Sequence, residues 1–239
     1  NAKVMTRAWT GFADQRNFAL TQVLGEWVLF VDADEEVSPA LAQELKHKMN
    51  QPTDHLPHCF EVRREEYFLG KHLAYGPGNP SFQWRLFRRK AVIFTGEIHE
   101  YPKFEGPVGK LNAHIDHWPH LTVDRFLSKM NHYTTLEAVD RFKQGQKTSL
   151  FHAFLTFFST FFKNGVRYRG FLNGKEGAVL CLLEAVSRVV RHLKLWTLWR
   201  VYEKKTDLLL FKDLPQPGST KPPTKTELSK PIWNQTVQK

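Results

Sequence analysis

The chain has 239 residues, 41% of them hydrophobic, a formal charge of +10 and only two cysteines, Cys59 and Cys181. That length and apolar content support a buried core in one or two domains and exclude an intrinsically disordered chain. A disulfide framework is excluded as well, and a reducing, cytoplasmic setting fits.

In chain order, Ala2-Lys3-Val4-Met5 reads as the end of a strand. Asp14 is placed to cap a helix running to about Leu24, with Leu20, Val23 and Leu24 on its buried face and Gly25 ending it. Arg16 and Asn17 fall in its first turn, where backbone N–H groups and the positive dipole end favour phosphate. Next, Val28-Leu29-Phe30-Val31 predicts a short buried strand in a parallel sheet. It runs straight into Asp32-Ala33-Asp34-Glu35-Glu36. In open α/β sheets ligands sit beyond the carboxyl ends of strands. Stability alone does not ask for clustered carboxylates there, because they repel one another.

A hard divalent cation, Mg²⁺ or Mn²⁺, is the natural partner, since such ions take oxygen ligands and bridge to substrate phosphates. On an extended strand Asp32 and Asp34 lie on one side, ~6.5 Å apart. That is wide for one ion unless the chain turns at Ala33. The spacing therefore suits one aspartate on metal and the other on a sugar hydroxyl. An acidic loop that only caps the following helix stays open at this point. An EF-hand is excluded, because its sixth and twelfth positions fall on Val37 and Gln43.

Ser38 as N-cap and Pro39 at the first helical position launch a helix to about Asn50. After a loop with Pro52 and Pro57, strands are predicted over 59–69, 83–88 and 91–95, with a Gly- and Pro-rich loop over 70–80. Gly96-Glu97-Ile98-His99-Glu100-Tyr101 follows. His114, His117 and His120 have the spacing of a zinc site but lack a fourth ligand nearby, so structural zinc is not expected.

Beyond Pro119 the pattern changes. Between Arg125 and Lys205 there are 15 Lys or Arg against 5 Asp or Glu. Such a surplus suits nucleic acid or an anionic membrane, and the aromatic residues favour the membrane. Phe154, Phe157, Phe158, Phe161 and Phe162 predict an aromatic helical face, in a segment of ~12 residues that is too short to span a bilayer. Over 178–199, Glu184, Arg188 and Arg191 predict a polar stripe on an apolar helix, as in helices lying in a membrane interface or packed against a catalytic domain. From Pro215 onward Pro, Lys, Thr and Ser dominate, and disorder is expected.

Four motifs occur in order: Gly11-Phe12-Ala13-Asp14-Gln15-Arg16-Asn17-Phe18-Ala19-Leu20, Gly25-Glu26-Trp27 through Glu35, Arg85-Leu86-Phe87-Arg88-Arg89, and Gly96-Glu97-Ile98-His99-Glu100. Together they resemble family 2 glycosyltransferases of the GT-A fold, over roughly residues 1–200. The subgroup they resemble is the bacterial lipopolysaccharide-core type, which adds a sugar to a lipid-linked glycan. The resemblance implies an α/β, Rossmann-like nucleotide-sugar-binding sheet over 1–119, here lacking its first strands. A helical, membrane-associated region over 120–205 and a disordered tail over 206–239 follow. In the family, the base-recognising half of the donor site belongs to those first strands. It is therefore expected upstream of Asn1, and the chain alone is expected to be impaired in activity.

The implied activity is inverting transfer from a nucleotide-sugar donor to a lipid-linked or cell-envelope glycan, peripheral to the inner face of the cell membrane, with no nucleic-acid partner. The implied cofactor is Mg²⁺ or Mn²⁺ held by Asp34, with Asp32 and His117 as further ligands. Arg16, Asn17, Asp32, Arg85 and His99 are implied in donor binding. Glu100 is the first choice for the catalytic base and Glu97 the second. Two alternatives stay open. One is a phosphohydrolase resembling the haloacid dehalogenases, with Asp32 as nucleophile, although that pattern expects Thr or Val where Glu36 stands. The other is a non-catalytic basic peripheral membrane protein.

Overall fold

The computed structural model describes residues 3–52, 56–77, 79–96 and 100–203. Glu97, His99 and the expected tail over 206–239 lie outside the described residues. The chain divides into two compact units, Asn1–Ala74 with Gly78–Pro119, and Tyr75–Pro77 with His120–Lys239.

In the first unit, helix α1 (Phe12–Gln22) begins earlier and ends sooner than its sequence predicts. Gly11, in a left-handed conformation, is its N-cap, and Val23 already turns extended. Asp14 therefore sits in the first turn, paired with Arg7 and Thr10. Only Leu20 of the expected face is buried, and Leu24 is exposed. Helix α2 (Pro39–Met49) starts as predicted: the Ser38 hydroxyl accepts from Leu41 N at 3.2 Å and donates to His114 O at 2.7 Å.

The described residues form the strands β1 (Trp27–Leu29), β2 (Glu35–Val37), β3 (Cys59–Phe68), β4 (Lys71–Leu73), β5 (Ser81–Arg88), β6 (Val92–Thr95), β7 (Tyr101–Phe104) and β8 (Val108–His120). Six form one sheet in the order β1-β5-β3-β8-β2, with β4 on β3, while β6 and β7 form a hairpin. The parallel sheet expected around β1 is corrected here, because β1 runs antiparallel to β5. Its unbroken apolar sequence has another cause. Trp27 and Leu29 pack with Leu41, Phe60 and Leu86 under α2, whereas Val28 and Phe30 pack with Leu20, Phe87 and Phe94 beside α1 and the hairpin. Apolar cover on both faces erases the alternation that usually marks an antiparallel strand.

Both cysteines are free and buried. Burial, helped by Glu61, pushes the Cys59 thiol up to about 12, which makes it an inert packing group.

The second unit holds helices α3 (Val123–Lys143), α4 (Leu150–Phe162) and α5 (Gly174–Glu203). Thr122 and Ser149 cap α3 and α4 through their hydroxyls. Ala138, Val139 and Phe142 of α3 bury against Leu195 and Leu198 of α5. The polar stripe of α5 is split: Arg191 lies inside this contact, Glu184 is half-buried and Arg188 is exposed. Arg191 is buried and donates to Glu137 at 2.8 Å, while Lys194 beside it bonds Asn131, Thr134 and Thr135 on α3. Among the described residues, no helix is long and apolar enough to cross a membrane.

Candidate active site

The acidic segment after β1 is a tight turn. Glu35 N donates to Asp32 O at 3.0 Å, and Asp32 N donates to Glu35 Oε2 at 3.0 Å. Ala33 and Asp34 form the bend, so the extended spacing does not apply and the two aspartates meet different partners.

Asp32 faces arginines. Arg16 Nη2 donates to Oδ1 at 3.1 Å, and Arg85 Nη2 donates to Oδ2 at 2.6 Å. Arg85 also pairs with Glu35, whose side chain is 0% exposed. Arg64 approaches the same Glu35 oxygen at 3.8 Å. Removing either member of a buried pair strands the other charge, so Arg85 is the clamp that holds the turn. Its Nε is buried without a hydrogen-bond partner among the described residues. Arg16 lies over the rings of Phe30 and Phe94, 5.2 and 5.5 Å from their centroids. Its Nε donates to Glu100 Oε1 at 3.2 Å, which brings Glu100 to the same cluster.

Asp34 faces histidine. Strand β2 pairs with β8 so that Glu35 lies opposite His117, which brings His117 Nε2 to 3.7 Å from Asp34 Oδ1. The other ring nitrogen, Nδ1, is 2.6 Å from Glu66 Oε2 on β3. Burial pushes the Glu66 carboxyl up, but the bond from His117 and the charges of Arg64 and His117 outweigh it and hold the carboxyl low. Glu66 accepts from His117 Nδ1, and this bond turns the other ring nitrogen, Nε2, toward Asp34. Carboxylate, imidazole and a cation commonly line up this way.

The donor set therefore fits a divalent cation of a particular kind. Among the described residues no group of three His, Cys, Asp or Glu is placed to hold a metal ion by itself. Two protein ligands, Asp34 and His117, suit an ion whose remaining positions are filled by substrate phosphates and water.

The other candidates are placed differently. Asn17 Nδ2 donates to Phe94 O, and Phe94 N donates to Asn17 Oδ1, both at 2.8 Å. Its amide is a clamp between α1 and β6 where the resemblance implies a donor contact. His114 and His120 sit an odd number of residues from His117 along β8 and so point to the other side of the sheet. Glu97 and His99 lie outside the described residues.

Sequence reasoning missed Glu35, Arg64 and Glu66. A signal existed in Arg63-Arg64-Glu65-Glu66, four charges in the middle of a ten-residue strand. Arg64 and Glu66 share a side and pair at 2.7 Å, while Arg63 and Glu65 pair at 2.7 Å on the opposite side.

Known proteins are similar to this chain over most of its length. The sequence profile described as Glycosyl transferase family 2 matches residues 1–104. The lipopolysaccharide core biosynthesis glycosyltransferase LpsC of Rhizobium meliloti is 30% identical over 202 residues, 80% of this chain and 73% of that protein. An uncharacterized glycosyltransferase of Rickettsia typhi is 27% identical over 206 residues, 81% of this chain and 70% of its own. Another from Rickettsia bellii is 27% identical over 207 residues, covering 81% and 69%.

Proposed function

This chain belongs to the family 2 glycosyl transferases, and we propose that it moves a sugar from a nucleotide-sugar donor to a lipid-linked or cell-envelope glycan, with inversion at the anomeric carbon. One observation carries the reading: a turn at the end of β1 sets Asp34 beside His117 while Arg16 and Arg85 hold Asp32. The mixed α/β first unit is read as part of a GT-A domain. The acceptor class takes its support from the name of the Rhizobium relative.

In the proposed reaction the acceptor oxygen bonds to the anomeric carbon as the carbon–diphosphate bond breaks, and the acceptor proton passes to a carboxylate. Mg²⁺ or Mn²⁺ held by Asp34 and His117 would supply Lewis-acid neutralisation of the departing diphosphate. Glu100 takes the proton. Arg16 holds Oε1 of Glu100, and this orients the base for an acceptor hydroxyl at Oε2. Asp32, fixed by two guanidinium groups, accepts a hydroxyl of the donor sugar. Arg85, bonded to Asp32 and Glu35, holds the turn rigid under the donor. Glu66 fixes the ring of His117.

We place the enzyme at the inner face of the cell membrane, supported by the cationic surplus and exposed aromatic residues of the second unit. The phosphohydrolase alternative asks for a free nucleophilic Asp32, whose oxygens both accept from arginine here. The test is release of nucleoside diphosphate from a panel of nucleotide sugars. Asp34→Asn and Glu100→Gln are expected to abolish release while the protein stays folded, with Glu100→Gln still binding nucleotide. Full turnover by a folded Asp34→Asn variant contradicts the reading.

A further inference from the structure

The membrane-facing surface of the second unit is not where the sequence pattern places it. On α5, Arg191 of the polar stripe and the neighbouring Lys194 are taken up by α3. The aromatic run of α4 divides in two. Phe157 and Phe161 stack on each other, and Phe161 packs on Phe171. Phe151, Phe154, Leu155, Phe158 and Phe162 point out, between 43 and 69% exposed. These five recur at i, i+3, i+4, i+7 and i+11, a single stripe along the helix. A contiguous apolar face of this kind marks an interaction surface.

The connection from α4 to α5 extends the stripe. It begins with a wide turn in which Tyr168 N donates to Lys163 O and continues through a short 3₁₀ segment, Gly170–Asn173. Its frame is tightly built. A Cβ on Gly165 would meet the Phe171 ring at 2.1 Å, and one on Gly177 would meet Gly170 O at 2.1 Å. The buried Asn173 amide accepts from Tyr75 N at 3.1 Å and donates to Tyr75 O at 2.7 Å. This packed frame holds Val166 and Leu172 outward, 63 and 66% exposed. Around them stand Lys163, Arg167, Arg169 and Lys175, all exposed, with no acidic residue anywhere from Phe162 to Lys175.

An apolar stripe that ends in a rigid apolar tip with an acid-free cationic collar matches a lipid surface of negative charge. We propose that α4 and the α4–α5 tip form a monotopic membrane anchor. The outward phenylalanines with Val166 and Leu172 enter the headgroup–acyl boundary, and Lys163, Arg167, Arg169 and Lys175 meet lipid phosphates. At 13 residues α4 is about 20 Å long, so it lies along the surface and does not cross the bilayer. The inference rests on the membrane-associated reading above and assigns the contact to these residues.

Co-sedimentation of the full chain with vesicles of phosphatidylglycerol, or of phosphatidylcholine alone, tests it. The wild type is expected to partition at least tenfold more strongly onto phosphatidylglycerol. Phe154→Ser with Phe158→Ser, and separately Arg167→Glu with Arg169→Glu, are each expected to reduce that binding at least tenfold. Thermal unfolding and monomeric sedimentation should stay unchanged. Labelling Val166→Cys with an environment-sensitive dye should give a blue shift on the same vesicles, since both native cysteines are buried. Wild-type binding that both double variants retain overturns this anchor and leaves the membrane reading standing. No binding by the wild type overturns both. A dimer that Phe154→Ser with Phe158→Ser dissociates, without vesicle binding, makes the stripe a self-interface and overturns the anchor.

Discussion

In the first unit Arg16, Arg64 and Arg85 each face a carboxylate, and Glu35 among those carboxylates has no exposed side-chain surface. In the second unit Lys163, Arg167, Arg169 and Lys175 line a turn whose sequence holds no acid at all. The first arrangement costs desolvation, and apolar residues of the same size would often be as stable or more so. Its place at the end of a strand, next to Asp34 and His117, is therefore best explained by chemistry. The second arrangement leaves charge and apolar surface in water together, which nothing in folding rewards. Paired buried charge marks a site that shapes a small ligand, and exposed cationic charge beside phenylalanine marks a surface awaiting a broad one.

Substitutions can break or sharpen that contrast. The largest effect is expected from Arg85→Leu, which strands Glu35 and should cost about 3–5 kcal/mol in urea unfolding. Arg167→Leu, by contrast, should fall within about 0.5 kcal/mol of wild type. Equal effects of the two would erase the distinction drawn here. Within the second unit the same test separates core from surface aromatics. Phe142, 1% exposed, should cost ~3–5 kcal/mol on replacement by Ala, whereas Phe154→Ala should leave the melting temperature nearly unchanged.

A pH effect comes next. Burial, with Arg191, His152, Arg141 and Arg188 nearby, depresses His192 from its ordinary 6.5 to about 4. The unfolded chain then binds a proton that the folded one refuses. Stability is full above pH 6.5 and falls as pH drops toward 4, by an amount on the order of a few kcal/mol. Denaturant midpoints at stepped pH should show this slope in the wild type and a flatter one in His192→Gln. The smallest effect is expected at Glu66, behind the His117 ring. Glu66→Gln loosens the His117 ring and should weaken Mn²⁺-dependent nucleotide binding about 10- to 100-fold, with stability changed less than by Arg85→Leu.

Much of this was legible in the sequence, though unevenly. Ser38-Pro39 predicts the start of α2 because capping chemistry is local, and β3, β5 and β6 follow from apolar patterning between Gly and Pro. By contrast, β4 falls in the expected loop, and β7 and β8, rich in polar residues, are not predicted as strands. The direction of β1 was not legible. Its two-sided apolar cover comes from α2 on one side and from α1 with the β6–β7 hairpin on the other, and antiparallel pairing with β5 leaves no local trace. Asp32, Asp34, Arg16, Arg85, Glu100 and His117 all come together in the first unit, but their division into an arginine side and a histidine side depends on the turn at Ala33-Asp34. Glu35 reads as one more acid in a run, and only the fold buries it against Arg85. In α5, helical periodicity groups Glu184 with Arg188 and Arg191, but it does not say whether α3 or solvent receives them.

The central claim is that Asp34 and His117 hold a cation for a nucleoside diphosphate. Calorimetric titration of the chain and of Asp34→Asn with UDP, GDP and ADP, in Mn²⁺ and in EDTA, tests it most directly. The account predicts that one nucleotide binds with Mn²⁺, that EDTA removes the binding, and that a fully folded Asp34→Asn variant loses it. Binding of equal strength in EDTA, or in the Asp34→Asn variant, would contradict it.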